Sequence, residues 1–482
     1  VQSALSALDS FICRKTKKGG KTLNEIFKYT KNNGEVIITG LQEGVGKTAI
    51  VIPEKIESMP VTEIAEQAFL ESPITDVKIG KNIKRVGYAA FSSCHNLKSV
   101  TWNAQCGIIP EECFQFCFIL SSFDFTKIKV ISKQAFCESG LRTIILPNNV
   151  EEIEPCAFWK CEKLERVVWN AQTKIVPTNC FMGCSNLLSF NFTNVEVIGH
   201  CSFKECGFRE VHLTSNIKKI GKGTFNCCHK LEKVIWDAKY SIVEQKCFKS
   251  CEKLSAFNFE NIEIVCNEAF SESGLKSVSL SSNVKEVENK AFSFCLDMEK
   301  VDWHSKCKSI PAHCFFGCSE LSKFDFSGVN TIGKEAFRDS GLLKVNLPNN
   351  IQKVGEGAFR KCNFLKEINW DAQTPSIPSR CFIFCTSLST FNFENIESIG
   401  EYAFTSSGLR EVRLTQRTNK IEGNAFGDCQ RLLRVEWLSD YSIVDKAFKN
   451  CRNLKEVNIS DKVKNIATDA FEGCTNVEFA FV

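Results

Sequence analysis

A phenylalanine returns every 22 or 23 residues from Phe69 onward, at positions 91, 114, 136, 158, 181, 203, 225, 248, 270, 292, 315, 337, 359, 382, 404, 426, 448 and 471. The chain therefore carries nineteen copies of one short unit. A unit of this length cannot bury its apolar face alone, so successive units must stack as a repeat solenoid in which each touches its neighbours. Function in such a body is read from a surface rather than from a pocket.

A longer period lies over the first. Trp102, Trp169, Trp236, Trp303, Trp370 and Trp437 stand 67 residues apart, so the units come in triplets of three types. The first type runs Phe-x-x-Cys-x-x-Leu-x-x-Val-x-Trp, as from Phe91 to Trp102. The second begins with a Cys-Phe pair and ends in an aromatic doublet, as from Cys113-Phe114 to Phe123 and Phe125. The third is one residue shorter at its turn, where Ser139-Gly140-Leu141, Ser273-Gly274-Leu275, Ser340-Gly341-Leu342 and Ser407-Gly408-Leu409 replace the Cys-x-x-Leu step.

The segment before each turn alternates apolar and polar residues. In Leu97 to Trp102 this predicts that Val100 and Trp102 point inward while Ser99 and Thr101 face out. The expected fold is an α/β-type repeat solenoid. It would be a right-handed leucine-rich-repeat superhelix with a concave parallel β-sheet and short helical or irregular convex segments. Residues 1–33 lie outside the repeat, and the spacing of Ala4, Leu5, Leu8, Phe11 and Ile12, resumed at Leu23, Ile26 and Phe27, predicts a helical cap or flexible segment. Residues 34–68 are degenerate first repeats, and residues 69–482 form the regular array. Gly44-Val45-Gly46-Lys47-Thr48 superficially resembles a phosphate-binding loop, but Leu41 stands where its first Gly belongs and Pro53 where a helix should run, so a hairpin turn is expected.

Twenty-seven cysteines invite a disulfide or zinc reading. Fourteen of them, however, follow the recurring Phe by three residues, and the other five units carry Ser there. A small side chain interchangeable with Ser predicts a stacked ladder at a tight bend, its S–H or O–H satisfying backbone groups of the next coil. No Cys-x-x-Cys occurs and no histidine recurs with the triplet, so no metal site is expected. So many thiols suit a reducing setting better than a strongly oxidising one. The six histidines fall in different unit types, which leaves no convergent set of nucleophile and base and predicts neither catalysis nor a cofactor. Charges nearly balance at a net +4 with no basic stripe, which argues against nucleic acid as partner. No run of 18 apolar residues spans a membrane.

The candidate site is a row on the expected concave face. Between the paired aromatics of the second unit type, the outward positions are Asp124, Asn191, Asn258, Asp325 and Asn392, with Asn458 in the divergent last copy. With Thr101, Asp302, Asn369 and Glu436 from the preceding strands, they would form a polar contact strip for a protein partner. The competing reading is a solvated row that satisfies neighbouring polar groups. The chain ends on a strand-like segment, 477–482, without a polar cap, which predicts self-association there or further chain beyond.

Ile-Gly-x-x-Ala-Phe, present at Ile332 to Phe337 and Ile399 to Phe404, resembles the BspA-like leucine-rich repeat family. Gly34 to Gly40 followed by Val51-Ile52-Pro53 resembles that family's first units. The resemblance covers about residues 34–480 and implies a non-enzymatic surface protein that adheres to host cells, matrix proteins or other microbes. It supplies no catalytic residue. The cysteine content is closer to protist members. Two locations stay open: cell surface or secreted, implied by the resemblance and allowed by the sequons Asn191-Phe192-Thr193 and Asn458-Ile459-Ser460, or cytoplasmic, favoured by the thiols.

Overall fold

A computed structural model describes residues 26–482, which divide into two compact units, one up to Cys228 and one from His229. Each unit is a stack of coils built on parallel strands. A complete coil holds two strand segments, where the sequence predicted one. Four-residue strands such as Thr143–Leu146 pair in register with Arg166–Trp169, Ile144 opposite Val167 and Leu146 opposite Trp169. Two-residue strands on the return path, Ile108–Ile109, Val130–Ile131 and Glu152–Ile153, make a second parallel ladder. Alternation follows the expected sense: Ile144 and Leu146 are buried, Thr143 and Ile145 exposed.

The recurring phenylalanines are the core. All but the last, Phe471, are fully buried, and their rings stack coil on coil, Phe158 on Phe181 at 5.5 Å and Phe337 on Phe359 at 5.8 Å. Burying each ring contributes about 2–3 kcal/mol, against the entropy of ordering its coil. Five of the six recurring tryptophans close the following bend, as where Trp169 Nε1 donates to Thr173 O, Trp303 Nε1 to Cys307 O and Trp437 Nε1 to Tyr441 O, at 3.2, 2.9 and 3.0 Å, while Trp102 Nε1 is buried without a partner.

The cysteine ladder has the predicted role with one change of direction. Each thiol donates to the preceding coil, not the next: Cys161 Sγ reaches Phe136 O at 3.1 Å, Cys295 Sγ reaches Phe270 O at 3.2 Å, and Cys385 Sγ reaches Phe359 O at 3.1 Å. At four of the five places where Ser replaces Cys, its hydroxyl meets the next thiol, as Ser139 with Cys161 at 3.3 Å and Ser273 with Cys295 at 3.4 Å.

No helix occurs among the described residues, so the helical option for the return segment is overturned; that segment is a two-residue strand of the second ladder followed by turns. Around each recurring Phe from Phe69 to Phe448, the residues two before and two after are left-handed, as Glu112 (φ 55°) and Phe116 (φ 57°) are around Phe114. Alternate amides divide their work. Cys113 N and Gln115 N close tight turns onto Pro110 O and Glu112 O, while Glu112, Phe114 and Phe116 donate to Lys133, Ala135 and Cys137 of the next coil at 2.8–3.1 Å. The left-handed residues, each costing roughly 1–2 kcal/mol, are what turn those amides outward along the stack.

The expected N-terminal helical cap or flexible segment, residues 1–33, falls mostly on residues 1–25, outside the described residues; from Phe27 the chain is strand, Phe27–Asn32 running antiparallel to Glu35–Leu41. The segment 42–47 is a turn, but not of a hairpin, because the strands it joins pair elsewhere: Glu35–Leu41 with Met59–Ile64, and Thr48–Val51 with Ile74–Ile79.

Candidate binding face

Outward positions of the four-residue strands form columns whose register the backbone fixes. Asn346 stands opposite Asn369 and Arg413 opposite Glu436, while Glu436 in turn stands opposite Asn458. Asn369 Nδ2 donates to Asn346 Oδ1 at 2.9 Å. Glu436 is held between Arg413 and Arg434, both at 3.0 Å, and Asp302 accepts from Lys300 Nζ at 2.8 Å. Thr101 is half-buried opposite Lys78.

The second-type positions behave differently from the prediction. Asp124, Asn191, Asn258, Asp325 and Asn392 are exposed, but they do not lie in strands. Each turns its Oδ1 onto the backbone amide two residues on: Thr126, Thr193, Glu260, Ser327 and Glu394, at 2.9–3.0 Å. Such an Asx turn captures the amide that would otherwise continue the ladder. The last copy shows the alternative. There Ser460 N donates to Trp437 O at 2.8 Å, and Glu456–Ile459 is a full strand carrying Asn458. The expected continuous sheet is thus interrupted at the second-type coils, where these carboxylates and amides stay exposed and the Asn258 Nδ2 also donates to Glu260 at 3.5 Å.

The sequence-predicted row brings together Glu436 and Asn458 as direct neighbours; the rest are spaced along the coils. It omitted the third-type strands that pair with the first type, which add Ile145, Ser279, Asn346 and Arg413 to the same face. The alternation in Thr143-Ile144-Ile145-Leu146 carried that signal.

The shortened third-type corner is the tightest point of the stack. A Cβ on Gly274 would come within 2.1 Å of Glu252 O, and one on Gly341 within 2.0 Å of Ser319 O, so these corners admit only glycine. Gly274 N donates to Cys251 O at 3.2 Å and locks the corner to the coil before it. Among the described residues no cluster of His, Cys, Asp or Glu suits a metal ion, and no helix is long and apolar enough to cross a membrane.

Parallel coils, a stacked aromatic core and outward side-chain columns define a leucine-rich-repeat scaffold. The family model for the BspA type leucine rich repeat region matches residues 47–165, 173–296, 258–366 and 358–478, and the chain belongs to that family. No curated protein matches it in sequence. Similar solved structures include a leucine-rich repeat protein from Bacteroides ovatus, 20% identical, covering 95% of this chain and 100% of that one, with a TM-score of 0.49. The leucine rich repeat protein of T. pallidum is 25% identical over 44% of this chain and 91% of its own, with a TM-score of 0.35. The pneumococcal vaccine antigen PcpA is 17% identical over 96% of this chain and 93% of its own, with a TM-score of 0.28.

Proposed function

We propose that this chain is a non-enzymatic protein-binding solenoid of a cell surface, adhering to host cells, matrix proteins or other microbes through the strand face. The observation that carries the reading is the in-register face itself. Its side chains project from a backbone held coil to coil by hydrogen bonds, so a partner meets pre-ordered groups and little ordering entropy opposes contact. Family membership supports the surface location. The thiols weigh less for a cytoplasmic location than their number suggests. Ladder thiols such as Cys94 and Cys228 are buried, hydrogen-bonded and pushed up to about 12, and a thiol kept protonated is a poor nucleophile in any compartment. The contact strip proposed here comprises Thr101, Asp124 and Asn191 in the first unit, with Asn258, Asp302, Asp325, Asn369, Asn392 and Glu436 in the second.

Retention of the purified chain on an immobilised extracellular-matrix extract tests this reading. Saturable retention is expected, and Asp325→Ala, Asn369→Ala and Asn392→Ala together should lower it severalfold. Loss of two Asx bonds and one amide pair costs about 1 kcal/mol each, so the triple variant stays folded in this large array. The pair Asp325→Asn with Asn392→Asp keeps both Oδ1 acceptors and isolates the charge pattern. Unchanged retention moves the site off this face. Light scattering against concentration separates ligand retention from self-association along Glu478–Phe481, where Phe479 and Phe481 are exposed.

A further inference from the structure

The corner at Ser273–Gly274 is one residue shorter than its neighbours, and an open cleft of about 530 Å³ lies beside it. Glu252 borders it from the preceding coil, Phe294, Leu296 and Asp297 from the following coil, and Glu272 from its own coil. Its apolar wall is uncovered: Phe294 is 42% and Leu296 56% exposed. Its rim is acidic, and none of its lining residues is a cation.

The same shortened corner elsewhere does not have this chemistry. At Ser139–Gly140 the Lys163 ammonium donates to Phe118 O at 3.0 Å across the corner. At Ser340–Gly341 the places of Phe294 and Leu296 are taken by Lys361 and Asn363, and at Ser407–Gly408 by Asp428 and Gln430. The cleft beside Gly274 therefore does not follow from the repeat alone.

A guanidinium already sits on the adjoining aromatic. The Phe294 ring packs on Phe316 at 4.5 Å, and Arg338 lies over Phe316 at 4.8 Å, bound by Glu335 at 2.9 Å and Asp339 at 3.2 Å. Phe294 offers the other half of this aromatic pair to solvent, with Glu252, Glu272 and Asp297 around it. Glu272 is already engaged by Ser250 at 2.7 Å and lies 3.4 Å from Lys249, which is committed to Glu268 at 2.7 Å; Glu252 lies 3.3 Å from His229. Their side chains stay 46% and 67% exposed, leaving oxygens for a further donor.

We propose that this cleft takes an arginine side chain from an extended segment of a partner protein. The guanidinium lies flat on Phe294 and donates to Asp297 and Glu252, while its methylene stem and a neighbouring apolar residue cover Leu296. The site lies apart from the strand-face row, so it stands or falls independently of that reading.

The test is a ligand-observed NMR titration of the full chain with N-acetyl-Leu-Arg-Leu-amide, beside the same peptide carrying citrulline, a neutral isostere of arginine. Saturable binding of the arginine peptide is expected, with the citrulline peptide about tenfold weaker. Phe294→Ser and Asp297→Asn should each weaken the arginine peptide by roughly fivefold. Ser is tolerated at this left-handed position, where Ser93 and Ser250 both adopt φ 56° in other coils, so an unchanged melting temperature certifies the fold. Equal affinity for the two peptides, wild-type affinity in Phe294→Ser, or no saturable binding overturns the proposal.

Discussion

The two units share their interior and differ on their outer face. In the first, the outward middle positions of paired strands include the polar pair Lys78 opposite Thr101 and the apolar pair Ile145 opposite Val168, with Ile145 59% exposed. In the second, the same positions hold Ser279 opposite Asp302, Asn346 opposite Asn369, and Arg413 opposite Glu436. Directly beneath them the residues scarcely change: Ile144 and Leu146 in one unit, Val345 and Leu347 in the other, all buried. Close packing fixes what faces the core, because a cavity or a clash is felt by both neighbouring coils. Nothing comparable fixes the outward side chains. The apolar pair Ile145 and Val168, which has no counterpart in the second unit's row of amides and charges, therefore sets the two outer faces apart on equivalent backbones.

The largest test of this comparison strikes the shared interior. Phe158→Ala in the first unit and Phe248→Ala in the second should each destabilise the full chain by about 3–5 kcal/mol, since each removes a fully buried ring. Denaturant midpoints measure it. A cost under about 1 kcal/mol at either site would show that the two interiors are not equivalent.

A smaller effect concerns acid. Glu196 in the first unit is held at about 2 by hydrogen bonds from Lys174 and Lys218, and Glu356 in the second is lowered by Lys334 and Arg380. Because the folded value lies below the ordinary carboxylate value, each group stabilises the fold above that value. The contribution is lost as pH falls below the ordinary carboxylate range, for Glu196 toward about 2. Glu196→Gln and Glu356→Gln should each flatten the acid limb of a stability profile, and added salt should shrink the difference because both carboxylates lie near solvent. A flattened limb in one variant alone would separate the units electrostatically.

The smallest effect is at the ladder. Cys161→Ser and Cys295→Ser should cost about 1 kcal/mol or less, because a hydroxyl can donate to the same carbonyl. Burial pushes both thiols up to about 12, so alkylation of native protein should spare them while denatured protein labels fully. Mass spectrometry reads the difference, and faster native labelling of Cys295 than of Cys161 would mark the second unit as the looser one.

The coil register, the buried phenylalanines, the cysteine ladder and the family were all legible in the sequence, because periods of 22 or 23 and 67 residues survive wherever one residue must repeat against its own copy. The outward direction of Asp124, Asn191 and Asn392 was legible too, from strand alternation. Their Asx turns were not: whether the amide of Thr193 bonds to Asn191 or to the coil before depends on competition with an acceptor some two dozen residues away, and Asn458 shows the same residue type taking the other outcome. The return segment was equally hidden. Phe-x-x-Cys spacing fits a helix as well as a turn, and only the carbonyls of the next coil, waiting for the amides of Glu112, Phe114 and Phe116, decide for left-handed residues. The sequence by itself determined what each coil buries. The tertiary structure decided how each coil's backbone is satisfied, because the partners of those amides and carbonyls belong to neighbouring coils, and which of the shortened corners borders a cleft.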